Sequence, residues 1–407
     1  MTNKIKGEVI ILNNYAIISE FNPFHKGHKF LIDSCRENGA THITAIMSGN
    51  YVQRGDVAVL SKKIRTEMAL KNGADLVVEL PLPYAVANAQ VFARGGVCIT
   101  DKMGCVNRLA FASECGNKDK LISVADISSS DEFNSLFKAE IAKGISYPNA
   151  LNKAIENINS ELSNIMTSPN NVLGIEYIKA IKEIGSSIKP FTIKRKGDSH
   201  NSTEISSELA SASNIRRLLS SHSDVSDYIP ENCNKLLQNA INKGELAQLE
   251  ENMRGVMLKL REMSVTDIAK IADVSEGLEN RLYNAIHNSN SINEIIEATK
   301  SKRYTYARIR RLIISCLLDI TEDYTKASPQ YIRILGFNKK GAEILSTMKN
   351  TALLPVVTKL TNLPENISEQ AKKALALEAK ATDIYYTFTK SIQPCGMEYK
   401  NGIVIVK

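Results

Sequence analysis

The sequence predicts an α/β fold in which a mainly parallel sheet is followed by a mainly helical C-terminal domain. Between residues 15 and 196, short β-rich runs alternate with helical stretches, a pattern typical of βα units. From about residue 231 to residue 323, apolar residues recur with a period of about 3.6, which indicates amphipathic helices. A polar stretch around Pro230 separates the two patterns. We therefore predict a first domain over residues 1–225 and a second over residues 226–407.

The composition is that of an ordinary globular protein. With 407 residues, 43% of them hydrophobic and 23% charged, the chain is long enough for two or three domains and too apolar for wholesale disorder. No apolar run approaches the roughly 20 residues of a membrane span and no signal-peptide pattern is present, so we expect no membrane partner and a cytoplasmic location. Seven cysteines without a C-x-x-C pair favour reduced thiols, and no metal site held by side chains is predicted. The sequence leaves the oligomeric state open.

The elements of the first half follow from local patterns. β-branched and apolar runs predict strands at residues 16–19, 43–47, 76–78, 108–111 and 190–194. Apolar periodicity predicts helices at residues 61–72 and 87–100, another that begins near Pro169, and a short one after Ser213. Residues 197–210 are rich in Ser, Asn and Asp and predict a surface loop, a candidate lid. Near the end of the chain, residues 382–388 and 403–406 predict a small additional sheet.

The strongest chemical signal is H-x-G-H, formed by His25, Gly27 and His28 after an apolar strand and a loop that contains a proline. A helix N-terminus offers free backbone N–H groups and a partial positive charge, so it favours an anion. Gly27 allows the backbone to approach a phosphate closely, and each imidazole supplies a directed donor. The alternative is that one histidine merely caps the helix and the other lies at the surface. Two histidines around a glycine at this position favour a nucleotide site.

A second motif, Ser211 to Arg216, supports the same chemistry. Ser213 is a plausible helix N-cap, and Arg216 stands where a guanidinium could clamp two phosphate oxygens. Taken alone, this segment is more simply an exposed basic helix. Together, the two motifs resemble those of the nucleotidyltransferase superfamily, which shares a Rossmann-like core with the class I aminoacyl-tRNA synthetases.

Further stretches narrow the resemblance to one family. They are SEFNPFHKGH, MSGNYVQRGDVAVLSKKIRTEMAL, DLVVELPLPYAVANAQVFARG, FASE, PNNVLG and KRYTYARI. The chain resembles the bacterial tRNA(Met) cytidine acetate ligases from residue 15 to about residue 388. The resemblance implies adenylation of acetate by ATP and transfer of the acetyl group to N4 of the wobble cytidine of elongator tRNA(Met), which gives N4-acetylcytidine. It implies ATP as a substrate, Mg²⁺ as its companion ion, and acetate and elongator tRNA(Met) as partners.

The resemblance also implies a set of site residues. His25, His28 and Arg216 become the catalytic residues, because they stabilise charge on the transferring phosphate. Ala112 stands where the family usually has Gly, and Lys26 replaces a usual Asn. The implied ATP-binding residues are Ile18, Ser19, Glu20, Phe21, Asn22, Pro23, Phe24, His25, Lys26, Gly27, His28, Lys29, Phe30, Leu31, Ala112, Asn170 and Arg195.

Polar residues at the ends of other predicted strands are weaker candidates. Some of the residues that follow the second strand should face acetate or the cytidine, since open α/β sheets place ligands there. Arg54 and Lys62 are the better anion contacts. Glu79 and Glu114 could hold Mg²⁺ through water, although structural hydrogen bonding is the simpler role. The loop candidates are Gln53, Arg54, Asp56, Ser61 and Lys62.

The charge distribution in the helical half suggests the RNA contact. The net charge is only +7, but the run from Lys300 to Arg311 carries six cations and no acid, interleaved with Tyr304 and Tyr306. Such a run is typical of phosphate binding and base stacking, although most charge runs are simply solvated helix faces. Lys339 and Lys340 are secondary candidates. The predicted tRNA-binding residues are Lys302, Arg303, Arg308, Arg310 and Arg311.

Two other functions remain open from the residues themselves. A small-molecule nucleotidyltransferase would use the same H-x-G-H motif, but it would not need a large basic helical domain. A non-catalytic nucleic-acid-binding protein is suggested by residues 264–286, where short helices separated by a turn resemble a helix-turn-helix. That alternative leaves His25 and His28 without a role.

Overall fold

The computed structural model describes residues 2–5, 8–145, 147–196, 209–275, 277–301 and 304–407, with side chains from residue 12 onward except at 147 and 148. Most of the candidate lid at 197–210 therefore lies outside the described residues. The same is true of Lys302 and Arg303, so their predicted tRNA contacts stay predictions.

Strands and helices alternate through the first half of the chain, and helices dominate the second. The strands are β1 (Thr2–Ile5), β2 (Glu8–Ile11), β3 (Asn14–Ser19), β4 (His42–Ser48), β5 (Tyr51–Val52), β6 (Asp56–Val57), β7 (Leu76–Leu80), β8 (Arg108–Ser113), β9 (Lys189–Lys194), β10 (Ile332–Phe337), β11 (Val356–Val357) and β12 (Val404–Ile405). The helices are α1 (Lys26–Glu37), α2 (Lys62–Lys71), α3 (Leu82–Ala85), α4 (Ala89–Lys102), α5 (Lys118–Ile127), α6 (Asp131–Ala142), α7 (Tyr147–Ile158), α8 (Pro169–Glu183), α9 (Ala212–Ser220), α10 (Glu231–Asn242), α11 (Met253–Glu262), α12 (Val265–Ala269), α13 (Leu278–Asn288), α14 (Ile292–Thr299), α15 (Tyr306–Leu318), α16 (Glu322–Lys326), α17 (Lys339–Thr351), α18 (Glu369–Tyr385) and α19 (Met397–Lys400).

The main sheet has eight strands in the order β11-β10-β7-β4-β3-β8-β9, with β12 paired to the other end of β10. Its first five strands in chain order, β3, β4, β7, β8 and β9, are parallel to one another. They lie in the order 3-2-1-4-5, so the chain changes direction across the sheet between β3 and β8. A crevice opens outside the carboxyl ends of the strands at such a switch point. This arrangement confirms the predicted Rossmann-like sheet.

The five predicted strands and the predicted helices of the first half are present, each with bounds that differ by a few residues. Of the small additional sheet predicted near the end of the chain, only one strand is confirmed, and it joins the main sheet through β10. Residues 404–405 form β12, but the strand predicted at 382–388 is wrong, because this segment completes α18 and a 3₁₀ turn at Tyr386–Phe388. Its aromatic residues face a helical core rather than a sheet.

The second half is mainly helical, and its end returns to the sheet. β10 lies antiparallel to β7, and β11 and β12 pair with β10 in parallel. Residues 226–407 therefore contribute three strands to the sheet of the first half. The division at residue 225 stays a prediction.

Alternation along the strands separates two apolar layers. Ala16 and Ile18 on β3 pack on one side of the sheet with α4 and α8, whereas Tyr15 and Ile17 pack on the other side with α1 and α2. Fully burying one such side chain contributes roughly 1.5–3 kcal/mol. A third core lies among the helices α11 to α15 and α18. Across the described ranges, the structure contains no helix long and apolar enough to cross a membrane.

The hairpin of β5 and β6 joins the sheet to this helical core. Tyr51 and Val57 are buried in the helical core. Gly55, at the tip, has φ +73°, and a Cβ there would lie 2.3 Å from the backbone nitrogen of Arg311. Only glycine allows the hairpin to approach the backbone of α15 this closely.

Candidate active site

A pocket opens where the carboxyl ends of β3, β8 and β9 meet the N-terminal ends of α1, α8 and α9. This is the crevice at the switch point of the sheet. Aliphatic and aromatic side chains line part of it, and two histidines, three basic residues, amides, two serines and the carboxylate of Glu20 line the rest. The lining residues are Ile17, Ile18, Ser19, Glu20, Phe21, Asn22, His25, Gly27, His28, Phe30, Leu31, Gln53, Arg54, Phe92, Phe111, Ala112, Asn170, Leu173, Tyr177, Arg195, Lys196, Leu209, Ala210, Ser211 and Ala212.

His25 and His28 form a reciprocal cap on α1. The Nδ1 atom of His25 accepts a hydrogen bond from the backbone N–H of Gly27 at 3.0 Å, and the Nδ1 atom of His28 accepts from the backbone N–H of His25 at 3.2 Å. The two rings lie 3.8 Å apart between centroids, with 32° between their planes. Because both Nδ1 atoms are acceptors, the neutral tautomer of each ring carries its proton on Nε2. The capping role and the anion-binding role therefore coexist in the same side chains.

The electrostatic environment keeps both rings neutral. Burial, with the guanidinium groups of Arg195 and Arg216, lowers the pKa of His25 to about 3. Burial, with His25 and Arg195, lowers the pKa of His28 well below its usual value. A neutral imidazole with Nε2–H donates a hydrogen bond to an oxyanion without first taking up a proton. The pocket therefore presents two preorganised donors.

The loop between β3 and α1 is fixed by polar contacts from other elements. Arg65 on α2 is fully buried and donates to the carbonyl oxygens of Glu20 at 2.7 Å, Ser48 at 3.0 Å and Leu60 at 2.9 Å, and also to that of Gly49. Burial lowers the pKa of this guanidinium to about 10. Arg65 thus holds the ends of β3 and β4 together below the pocket.

The segment from Ser211 to Arg216 meets this loop from the other side. Ser211, rather than the predicted Ser213, caps α9, since its side chain accepts from the N–H of Asn214 at 3.3 Å. Ser213 instead accepts a hydrogen bond from Nη1 of Arg54 at 2.8 Å. Arg216 donates to the carbonyl oxygen of Asn22 at 2.8 Å, and burial lowers its pKa. Arg216 is not among the lining residues of the pocket, although its charge contributes to the lowered pKa of His25.

The other predicted ATP contacts converge on the same pocket from β8, α8 and the end of β9. Ala112 and Arg195 line it directly. Asn170 lines it too, and its side-chain amide donates to Glu114 at 2.7 Å. Glu114 also accepts from the backbone N–H of Asn171 at 2.9 Å. Glu114 therefore has the structural role expected for it, since it anchors the first turn of α8.

A few of the predicted ATP-binding residues lie beside the pocket rather than in its lining. Phe24 is buried and its ring packs against His28 at 5.5 Å. Lys29 pairs with Asp33 along α1. Pro23 follows a cis peptide bond and is buried. Pro23, Phe24, Lys26 and Lys29 are absent from the lining residues described above.

The loop candidates lie in three different places. Gln53 and Arg54 line the pocket, and the backbone N–H of Gln53 donates to Glu20 at 3.0 Å. Asp56 instead forms an ion pair with Arg310. Lys62 lies in a buried cluster, where it contacts Glu79 at 2.7 Å and Glu398 at 2.9 Å. The anion contact predicted for Lys62 is therefore not part of this pocket.

The basic run from Lys300 to Arg311 has no acid along the sequence, but it meets acids in space. Arg308 and Arg311 lie 3.4 Å and 3.7 Å from the carboxylate oxygens of Asp273. Arg310 pairs with Asp56. The alternative of a solvated helix face is wrong for these three arginines, because each side chain is mostly buried between α15 and another element. Their contact with tRNA stays a prediction.

Sequence reasoning missed the residues that shape the pocket from a distance. Phe92, Phe111 and Tyr177 form an apolar wall of the pocket. Such residues cannot be told apart from ordinary core residues in a sequence. Arg65 gave no signal either, because its partners are backbone carbonyls that any residue provides.

The strand order, the H-x-G-H cap and the pocket at the switch point define a nucleotidyltransferase of the class with a HIGH motif. The sequence profile of the HIGH Nucleotidyl Transferase family matches residues 12–399. A tRNA(Met) cytidine acetate ligase of Thermoanaerobacter sp. (strain X514) is 38% identical over 398 residues, which cover 96% of this chain and 98% of the relative. A tRNA(Met) cytidine acetate ligase of Acetivibrio thermocellus is 37% identical over 411 residues, 96% of this chain and 99% of that one. The chain belongs to the family of the tRNA(Met) cytidine acetate ligases.

Solved structures agree with this assignment. The crystal structure of Thermotoga maritima TmcAL in its apo form superposes with a TM-score of 0.90 at 33% identity and covers 97% of this chain and 100% of that one. The crystal structure of the same protein bound with alpha-thio ATP gives a TM-score of 0.88 at 32% identity, with the same coverage. The fold of a protein that binds an ATP analogue is therefore reproduced over nearly the whole chain.

Proposed function

We propose that this protein is an ATP-dependent ligase that adenylates acetate and transfers the acetyl group to N4 of the wobble cytidine of elongator tRNA(Met). The observation that carries the proposal is the pair of imidazoles, His25 and His28, which cap α1 through Nδ1 and line a pocket at the switch point of the sheet. Family membership supports the choice of substrates, since relatives covering nearly the whole chain are named for this activity.

In the first step, an oxygen of acetate attacks the α-phosphorus of ATP, the bond to the β-phosphate oxygen breaks, and pyrophosphate leaves. His25 and His28 donate through Nε2 to phosphate oxygens, where negative charge grows. Arg195 adds positive charge inside the pocket, and Arg216 acts through the loop that holds His25. Fixed donors of this kind need no rearrangement during the reaction. The apolar wall of Phe92, Phe111 and Tyr177 is placed to hold the adenosine.

In the second step, the N4 amine of cytidine attacks the carbonyl carbon of acetyl-adenylate. The bond to the phosphate oxygen breaks, AMP leaves, and the amine loses one proton. The exocyclic amine of cytidine is a weak nucleophile, so the carboxylate must be activated first and shielded from water.

Mg²⁺ fits this pocket as an ion carried by the triphosphate. Among the described residues, no cluster of three or more His, Cys, Asp or Glu side chains is suited to a metal. Glu20 is the carboxylate that lines the pocket, and Mg²⁺ commonly combines one carboxylate with substrate phosphates and waters. When bound, the ion would neutralise phosphate charge.

We propose that the tRNA lies against the helical half, near α15. Arg308, Arg310 and Arg311 lie on this helix. The tip of the β5–β6 hairpin packs at Gly55 against the backbone of α15, and Arg54 of the same hairpin lines the pocket. Lys339 and Lys340 are on α17, where Lys340 donates to the carbonyl oxygen of Thr41. They remain secondary candidates. Because its proposed substrates are tRNA and ATP, we place the protein in the cytoplasm.

The test is a reconstitution with purified protein, ATP, radiolabelled acetate and total tRNA, followed by nucleoside analysis. The proposal expects label in N4-acetylcytidine from elongator tRNA(Met), with AMP and pyrophosphate formed in equal amounts. Omission of ATP or of acetate should abolish the product. Adenylation of a small metabolite, without labelled tRNA, would contradict the proposal and identify a small-molecule nucleotidyltransferase.

A further inference from the structure

A second polar cavity lies between the sheet half and the helical half, away from the ATP pocket. It is bounded by the N-terminal part of α4, by the turn around Asp273, and by α15 and α16. Its lining residues are Val86, Ala87, Asn88, Val91, Arg94, Ala272, Asp273, Val274, Ser275, Arg308, Arg311, Ser315, Glu322, Thr325 and Lys326. None of them lines the ATP pocket.

The cavity has an excess of positive charge. Four cationic side chains line it, and only Asp273 and Glu322 oppose them. Lys326 and Glu322 neutralise each other at 2.9 Å along α16. Asp273 is then left to balance three guanidinium groups, those of Arg94, Arg308 and Arg311. The positive end of α4, a helix of 14 residues, adds to this excess because Asn88 and Val91 are at its first turn.

The hydrogen-bonding capacity of these arginines is only partly used. Arg308 donates to the carbonyl oxygen of Asp273 at 2.7 Å and to the hydroxyl of Ser275 at 3.2 Å, and Arg94 donates to the carbonyl oxygen of Thr325. The nearest carboxylate oxygens of Asp273 lie at 3.4 Å and 3.7 Å from Arg308 and Arg311, too far for strong hydrogen bonds. In the part of the chain that the structure describes, the buried Nε atoms of Arg94, Arg308 and Arg311 have no hydrogen-bond partner, and neither has the buried Oδ2 atom of Asp273. The single Asp273 carboxylate therefore does not satisfy the three guanidinium groups, and leaving buried polar groups unsatisfied is costly, so the site is suited to an additional acceptor.

From this arrangement we infer that the cavity binds a phosphate group, held by Arg94 from the sheet half and by Arg308 and Arg311 from the helical half. A phosphate offers several acceptor oxygens and matches the planar donors of arginine. Asp273 has φ +66°, an uncommon conformation for a residue other than glycine, and its carboxylate occupies the space between two of the arginines. The carboxylate of Asp273 thus partly balances the arginine charge, and a bound phosphate displaces it or binds beside it.

The phosphate belongs to the RNA backbone. The cavity is at the junction where α15 meets the sheet half, on the helix that carries the predicted tRNA contacts. This step rests on the proposed function, because it takes tRNA as the macromolecular substrate. It adds Arg94, which is more than 200 residues away from α15 in the sequence, to the residues that hold that substrate. A free phosphate ion has the same chemistry and is the alternative source.

The experiment measures the affinity of the full-length protein for elongator tRNA(Met) over a series of salt concentrations. R94A and R311A should weaken binding and lower the slope of log K against log salt by about 0.7 to 0.9 for each lost phosphate contact. R94K, which keeps the charge, should retain most of the slope and lose only part of the affinity. R254A is the matched control, because Arg254 is exposed on α11 and lines no cavity described above. Its slope should equal that of the wild type.

A second measurement identifies the source of the phosphate and separates the inference from the proposed function. The Tm of each protein is followed as inorganic phosphate replaces chloride at constant ionic strength. A larger rise for the wild type than for R94A, with unchanged RNA slopes, would assign the cavity to free phosphate and overturn the RNA contact. Equal slopes and equal rises in R94A, R311A and the wild type would overturn the site altogether. Failure of the wild type to acetylate tRNA would refute the proposed function, while the response of Tm to phosphate would still report on the cavity.

Discussion

Replacing His28 with alanine removes both roles of this side chain, the cap on α1 and the proposed donor in the pocket, and a control variant separates the two effects. The variant removes the Nε2–H donor that the proposed mechanism assigns to the transferring phosphate. By comparison with the loss of one donor to a developing oxyanion, we expect acetate-dependent turnover to fall about 10²–10³-fold, equivalent to about 2.7–4 kcal/mol in the transition state. It also removes the acceptor 3.2 Å from the backbone N–H of His25, half of the reciprocal cap. That loss should lower the free energy of unfolding by about 0.5–2 kcal/mol.

The assay is exchange of labelled pyrophosphate into ATP in the presence of acetate, which requires no tRNA. S130A is the matched control. The side chain of Ser130 caps α6 by accepting from the N–H of Phe133 at 3.1 Å, and it lies outside the pocket lining. S130A should lose a similar amount of stability and keep a normal exchange rate. An H28A variant with near-normal exchange would refute the role of His28, and an equal loss of rate in S130A would show that destabilisation alone explains the effect.

Three further predictions follow from the site and its supports. Because the pKa of His25 falls from about 6.5 in the unfolded chain to about 3 in the folded protein, the unfolded state binds more protons between these values. The contribution of His25 to the free energy of unfolding should therefore be complete above pH 6.5 and decrease toward pH 3, by at most about 1.4 kcal/mol per pH unit. When urea unfolding curves are recorded at a series of pH values, H25N should show a weaker dependence of the free energy of unfolding on pH in this range. G55A should lower the free energy of unfolding by well over the roughly 1–2 kcal/mol that an alanine in the left-handed conformation costs, because its Cβ would also clash with the backbone of α15. G396A is the control: Gly396 has φ +84° and a Cβ there would have no atom within 4 Å, so urea unfolding should show the conformational cost alone. R65M should lower the free energy of unfolding by more than about 3 kcal/mol and weaken ATP binding, because it leaves several buried carbonyl groups without donors. A normal Kd for ATP, measured by calorimetry, would contradict the role of Arg65 in holding the loop.

Local chemistry made much of the fold and the nucleotide pocket predictable. The H-x-G-H segment marks a strand end and a helix start within four residues, and both histidines act on backbone groups no more than three positions away. Ser211 similarly accepts from the backbone N–H of Asn214, three positions away, although the sequence analysis assigned this cap to Ser213. Contacts of this kind are determined by short-range sequence, so a single chain reveals them.

The contacts that the sequence did not predict join distant parts of the chain. Arg310 and Asp56 are separated by 254 positions, and a run of basic residues on α15 gave no sign that it would meet Asp273 and Asp56. Residues 382–388 have the aromatic composition of a strand, but Tyr385 and Phe388 pack into a core of helices, which tertiary contacts rather than local preference determine. Where local propensity is ambiguous, burial and long-range contacts thus determine which secondary structure a segment adopts.

The most direct test of the central claim is a crystal structure of this protein with an ATP analogue and Mg²⁺. The account predicts the triphosphate against Nε2 of His25 and His28, with the adenosine on the wall formed by Phe92, Phe111 and Tyr177. A nucleotide bound elsewhere, or phosphates out of hydrogen-bond reach of both imidazoles, would contradict it.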